Sequence, residues 1–157
     1  TMGPLVADRR LEVMEDFISD AISSGGEVIS GGGRGQSPGS FFEPTLIRDV
    51  PDTAKIMIEE PFGPVAPSAS FSSIDELIER ANSLPFGLAS YAFTSNPRTS
   101  QILKSEIESG MLAINSMHIH SVETPFGGLK HSGYGYEGSI EGLEAFLVTK
   151  YSSEIYT

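Results

Sequence analysis

An acid and an aromatic ring stand two residues apart in Glu60-Pro61-Phe62-Gly63-Pro64. A carboxylate held in so stiff a turn can accept two hydrogen bonds from vicinal hydroxyls, as on a ribose. The phenyl ring beside it can pack against a planar group. The plainer reading is an acid in a tight turn next to a core phenylalanine, and on this segment alone that reading is favoured. A second segment is longer: Pro125-Phe126-Gly127-Gly128-Leu129-Lys130, then Ser132-Gly133-Tyr134-Gly135, then Glu137-Gly138. Glycines this dense let the backbone approach a ligand closely. The segment follows Asn115, at the C-terminal end of an expected parallel strand, the edge at which open α/β sheets bind ligands. The opposing reading is a structural loop whose glycines only make turns. Loops this long inside compact domains are usually functional, which tilts the balance toward a site.

His118 and His120 sit just upstream. In an extended segment both imidazoles point to one side, as metal binding requires, but no third ligand is evident. A histidine at a pocket mouth, bonding substrate or backbone, is preferred over a metal; two surface histidines are the bland alternative. The run Gly31-Gly32-Gly33-Arg34-Gly35 has neither G-x-G-x-x-G nor G-x-x-x-x-G-K-[ST] spacing, so it reads as a flexible connector and not a phosphate loop. No G-x-S-x-G is present to support a serine nucleophile. The chain has no cysteine, which removes disulfides, thiolate metal sites and thiol nucleophiles together.

The elements that must hold these segments follow from periodicity. Asp8 is expected to cap a helix to about Ser24, with Leu11, Met14, Phe17, Ile18, Ala21 and Ile22 at helical spacing and Gly25-Gly26 as its stop. Residues 27–30 form a short strand candidate. Phe41 to Val50 reads as extended, with Pro44 marking an edge or an irregular pairing. Val65 to Phe71, Leu88 to Thr94 and Met111 to Asn115 read as strands. Between them lie a helix opened by a Ser73–Glu76 capping box and one opened by Asn96-Pro97 and closed by Gly110. Strand, helix, strand, helix, strand predicts two crossovers and a parallel sheet. Ser139 is expected to cap a short helix, and Val148 to Ile155 to form a terminal strand. The fold class is therefore α/β, an open and mainly parallel sheet with flanking helices.

A chain of 157 residues with 39% apolar content suits one globular domain. Its net charge of −11, with only Arg9 and Arg10 adjacent among the cations, argues against nucleic-acid and anionic-membrane partners. No apolar run approaches the roughly 20 residues of a membrane span, and no leader peptide is visible. A cytoplasmic protein is expected.

These segments together resemble the aldehyde dehydrogenase superfamily, specifically the C-terminal part of its catalytic domain. Gly3-Pro4-Leu5, Glu60 to Pro64, Pro85-Phe86-Gly87-Leu88-Ala89, and Pro125-Phe126-Gly127-Gly128 with Lys130, Ser132-Gly133, Gly135 and Glu137 agree in order and spacing. Gly110-Met111, Asn115, Ser121-Val122-Glu123 and Pro125 look most like the succinate-semialdehyde dehydrogenase branch. The resemblance implies oxidation of an aldehyde to a carboxylic acid with NAD or NADP, by a cysteine thiolate, an oxyanion site and a water-activating glutamate. Those groups, and most of the cofactor site, belong to polypeptide upstream of Gly3 in such enzymes. By resemblance, Glu60 accepts hydrogen bonds from the nicotinamide ribose and Phe62 packs beside the nicotinamide. Phe126 lines the substrate tunnel and His120 faces it. A serine is usual at the His120 position in the succinate-semialdehyde branch, so the substrate is open here.

The resemblance also divides the chain into residues 1–147, part of the catalytic domain, and 148–157, a strand that joins a second subunit's sheet in a homo-oligomer. The missing cysteine is expected to make this chain inactive alone, as a fragment of a longer enzyme. The alternative is a non-catalytic assembly module of the same fold.

Overall fold

The structure, a computed structural model, describes residues 2–156. The chain divides into two compact units, one ending at Ser72 and the other beginning at Ser73.

The first unit is built on α1 (Arg9–Ser23). Its apolar residues recur at three- and four-residue steps, so Leu11, Met14, Phe17, Ile18 and Ala21 all point inward and are buried. Ile22 was expected on that face but is half exposed, being one step off the stripe. Gly25, at φ +109, turns the chain out of the helix in a conformation that favours glycine. Asp8 does not cap α1. Its backbone is already helical, and its carboxylate instead accepts from the Ser40 hydroxyl at 2.5 Å.

Against α1 lies a three-stranded sheet of β1 (Glu27–Ser30), β2 (Thr45–Arg48) and β3 (Val65–Pro67). β2 is central, antiparallel to β1 and parallel to β3. Pro44 lies just outside the β2 ladder, so it costs no sheet hydrogen bond, and the irregularity falls instead on the β1 side, where the register shifts between Val28 and Ser30. A four-residue helix, α2 (Lys55–Ile58), had no clear sequence signal. It is held from outside: the Lys55 amide donates to the Asp20 carboxylate at 2.7 Å and its ammonium to Asp16 at 2.8 Å. Phe42, Ile47, Val50, Ala54, Ile56 and Val65 complete one core with the α1 residues.

The loop over residues 31–40 is no free connector. Arg34 grips Glu15 of α1 with two bonds of 2.7 Å. The Gly35 amide donates to Phe41 O at 2.7 Å, and the Gly32 amide to the buried Thr45 hydroxyl at 2.9 Å.

The second unit holds α3 (Ile74–Asn82), β4 (Phe86–Gly87), β5 (Ala89–Ala92), α4 (Pro97–Glu106), β6 (Met111–Ile114), β7 (Leu129–Lys130) and α5 (Ser139–Glu144). Both expected caps form. The Ser73 hydroxyl accepts from the Glu76 amide at 3.1 Å, and the Asn96 carbonyl from Arg98 and Thr99 at 2.9 and 3.4 Å. β5 and β6 pair in parallel around the α4 crossover, with Ala89 opposite Met111 and Ala92 opposite Ile114. β4 and β7 form a separate antiparallel ladder.

The α/β class holds, but the pairings differ from the expectation of one continuous sheet. β3 bonds in parallel to β2 and not to β5, so of the two crossovers expected, β3 to β5 and β5 to β6, the described pairings hold β5–α4–β6. β3 is only three residues long and ends in Pro67, which has no N–H to extend a ladder. α4 stops at Glu106, short of Gly110, because Ile107 is already extended. Ser139 opens α5 as its first residue, with Gly138 in the cap position. Residues 148–156 carry no strand pairing among the described residues, residue 157 lies outside them, and Val148, Tyr151, Ile155 and Tyr156 are exposed. Among the described residues no helix is long and apolar enough to cross a membrane.

Candidate functional site

Glu60 and Phe62 share one turn of the first unit, between α2 and β3. The carboxylate of Glu60 is exposed and takes no hydrogen bond among the described residues. Phe62 is 71% exposed, which rules out the core-phenylalanine reading of this segment. Its φ of +41 is uncommon for any residue but glycine. The turn keeps that shape because α1 grips it from beneath. The Arg10 guanidinium donates to Pro61 O and, at 3.4 Å, to Phe62 O. Gly63 sits on Met14: a Cβ at Gly63 would meet the Met14 sulfur at 2.2 Å. One charged donor and one buried thioether, four residues apart on α1, therefore fix three successive residues of the turn.

The long loop of the second unit is held differently. Phe126 and Glu137 exchange backbone hydrogen bonds of 2.7 and 2.8 Å, closing the segment between them. The Ser132 hydroxyl accepts from the Gly87 amide at 2.9 Å, and the His131 amide donates to Pro85 O at 2.8 Å. Gly110 backs onto Gly127, where a Cβ would meet the Gly127 oxygen at 1.9 Å. Lys130 anchors the far end. Its ammonium donates to Asn82 O at 2.9 Å and Leu84 O at 3.1 Å and pairs with Glu108 at 2.5 Å.

This frame brings His120 and Phe126 together. Their rings meet edge to face, centroids 5.5 Å apart at 89°. The imidazole is exposed and the phenyl ring half-buried, so the pair sets an apolar ring beside a polar, solvent-accessible one. His118 is exposed too, and its amide donates to the Ser116 hydroxyl. Among the described residues no three His, Asp or Glu side chains gather as metal ligands.

Upstream, Asn115 takes φ +55 where β6 ends. Its side chain accepts from the Thr94 amide and donates to Thr94 O, both at 2.8 Å, copying one more rung of the ladder. Arg10, Asn115 and Lys130 were not picked out as supports by sequence reasoning. Arg10 carried a usable signal, since it lies one turn ahead of the apolar Met14 on the same helix face.

A nicotinamide dinucleotide fits the first pair chemically. An unengaged carboxylate suits ribose hydroxyls, and an exposed ring suits a planar heterocycle.

A family model described as "Aldehyde dehydrogenase family" matches residues 1–152. The chain is 43% identical over 150 residues to the 4-(hydroxymethyl)benzenesulfonate dehydrogenase TsaD1 of Comamonas testosteroni, covering 96% of this chain and 31% of that protein. It is 42% identical over 151 residues to the mitochondrial succinate-semialdehyde dehydrogenase of Rattus norvegicus, covering 96% of this chain and 29% of that protein. Among solved structures, the succinate-semialdehyde dehydrogenase of Burkholderia pseudomallei superposes with a TM-score of 0.91 at 37% identity, over 94% of this chain and 31% of that one. The chain thus spans about a third of the length of the relatives it matches.

Proposed function

The chain belongs to the aldehyde dehydrogenase family, and on that premise we propose that it supplies part of the site of an enzyme that oxidises an aldehyde to a carboxylic acid with NAD or NADP. The observation that carries this reading is the turn at residues 60–63, where an unengaged carboxylate and an exposed ring are fixed two residues apart. Glu60 holds the nicotinamide ribose by its hydroxyls, and Phe62 lies against the nicotinamide. Bound there, the dinucleotide supplies the hydride acceptor. His120 and Phe126 line the aldehyde's path. This chain has no cysteine to attack the aldehyde, so alone it is inactive.

The substrate class follows from the rim of the second pair. The relatives TsaD1 and succinate-semialdehyde dehydrogenase are named for compounds bearing a sulfonate and a carboxylate. An exposed imidazole edge to face with a phenyl ring suits an aldehyde with an acidic group at its far end, succinate semialdehyde among them, because an imidazole N–H can donate to that group. Residues 148–156, which pair with no strand among the described residues, act as a strand that a second copy completes, through the edge their backbone offers. The protein works in the cytoplasm as a homo-oligomer.

One experiment tests the site. In the full natural polypeptide, Glu60→Gln should slow hydride transfer about tenfold, the scale of one hydrogen bond to a charged group. His120→Ala should lower kcat/KM for succinate semialdehyde more than for an uncharged aldehyde of equal length. An unchanged hydride-transfer rate in Glu60→Gln removes the turn from the site. Equal losses on both aldehydes remove His120 from anion recognition.

A further inference from the structure

We propose that Arg10 is a positioning residue for the nicotinamide cofactor: its grip on the Pro61 and Phe62 carbonyls aims the Phe62 ring and the Glu60 carboxylate. This rests on the reading that the 60–63 turn meets the cofactor.

Three observations converge on it. First, the described hydrogen bonds of Arg10 both go to main-chain oxygens, those of Pro61 and Phe62. The chain carries 21 acidic and 10 basic residues, so a carboxylate partner was the simpler fate for a partly exposed arginine. Second, two successive carbonyls can face one guanidinium only if the intervening peptide planes are turned toward each other. Phe62, the residue between them, has the uncommon φ of +41. Third, Gly63 fits against buried Met14, one helical turn beyond Arg10. The turn is therefore clamped at 61–62 by charge and seated at 63 by shape. Met14 fixes where the turn lies. The guanidinium fixes how its peptides are rotated, which decides where the flanking side chains point. A surface arginine 50 residues away in sequence thereby sets the angle between a ribose-binding carboxylate and a nicotinamide-facing ring.

The test uses the full natural polypeptide and reads binding as well as turnover. Arg10→Ala is expected to weaken binding of reduced nicotinamide cofactor about tenfold, followed by its fluorescence, and to raise the cofactor KM alongside. The aldehyde KM should hold within about twofold, because the His120–Phe126 pair is built from other elements. Arg10→Lys, which keeps the charge but not the planar fork, should recover part of the loss. Guanidinium ion should improve binding by Arg10→Ala where an equal concentration of sodium chloride does not. Unchanged cofactor binding in Arg10→Ala, with Glu60→Gln weakened, overturns the role of Arg10 and leaves the site standing. So does a lowered melting temperature with no change in cofactor affinity, which marks Arg10 as a staple only. No effect from either variant overturns the reading of the turn itself, and the role of Arg10 with it.

Discussion

The two candidate segments are immobilised by opposite means. The turn at 60–63 is held by side chains that reach it from α1, Arg10 by hydrogen bonds and Met14 by contact. The loop at 125–138 is held mainly by backbone meeting backbone, with Gly110 against Gly127 and Phe126 bridged to Glu137. The surroundings explain the difference. The first unit has a continuous core of eleven buried apolar residues, dense enough to seat a turn on. In the second unit Leu103, Met111 and Ala113 are the buried apolar residues among those described, and α3 buries none. With so little core, this unit fixes the loop largely by letting main chains touch, which at Gly110 and Gly127 requires residues without a Cβ, and Lys130 tethers the far end. A side-chain tether tolerates change at the turn but not at its anchor. A backbone fit tolerates change at most side chains but not at its glycines.

The largest expected effect breaks the first kind of hold. Met14 is fully buried, and Met14→Ala leaves a void under Gly63 as well as in the core. The loss should be about 3 kcal/mol, seen as a lower denaturant midpoint. Met14→Leu, nearly equal in volume, should cost less than about 1.5 kcal/mol. If Met14→Ala costs no more than that, the core does not seat the turn.

The next effect breaks the second kind. In Gly110→Ala the new methyl lands 1.9 Å from the Gly127 oxygen, a main-chain atom that cannot swing aside. A cost of about 2–3 kcal/mol is expected from overpacking. Gly33→Ala is the control, because nothing lies within 4 Å of its Cβ and its φ is not positive. Its effect should stay within about 0.5 kcal/mol. Equal costs at Gly110 and Gly33 would erase the contrast between the two segments.

The same contrast explains what was legible beforehand. α1 was readable because its apolar spacing is local, and the Ser73 and Asn96 caps because a cap is decided within three residues. The two site segments stood out as clusters of glycine, proline and aromatic residues. Their supports did not. Arg10 is 51 residues from Pro61 and Lys130 is 48 from Asn82, and no local pattern encodes such pairings. The split of the sheet was hidden for the same reason: the preference of β3 for β2 depends on the return of the chain after the 31–40 loop. That loop was misread because glycine content signals freedom, whereas Arg34 and Thr45 remove it.

The smallest expected effect sharpens the comparison at that loop. Its outer tether is electrostatic and exposed, so it responds to pH and salt as a backbone fit does not. The hydrogen bond from Arg34, and then its charge, holds the Glu15 carboxyl below its usual value of 4.5. A carboxyl lowered in the folded state contributes stability that is complete above its unfolded value. That contribution is lost as pH falls through the folded one. The tether should therefore be constant from neutral pH down to about 4.5 and fade below it. The check is the difference in melting temperature between the protein and Glu15→Gln, followed on acidification. It should be small and positive at neutral pH, shrink in high salt, and close below the ordinary carboxylate range. The protection of the Gly35 amide, relative to its intrinsic exchange rate at each pH, should fall over the same range. At Phe126 and Glu137 the amides bond to carbonyl oxygens, which do not titrate. If those two amides lose protection together with Gly35, the two segments are not held by different forces.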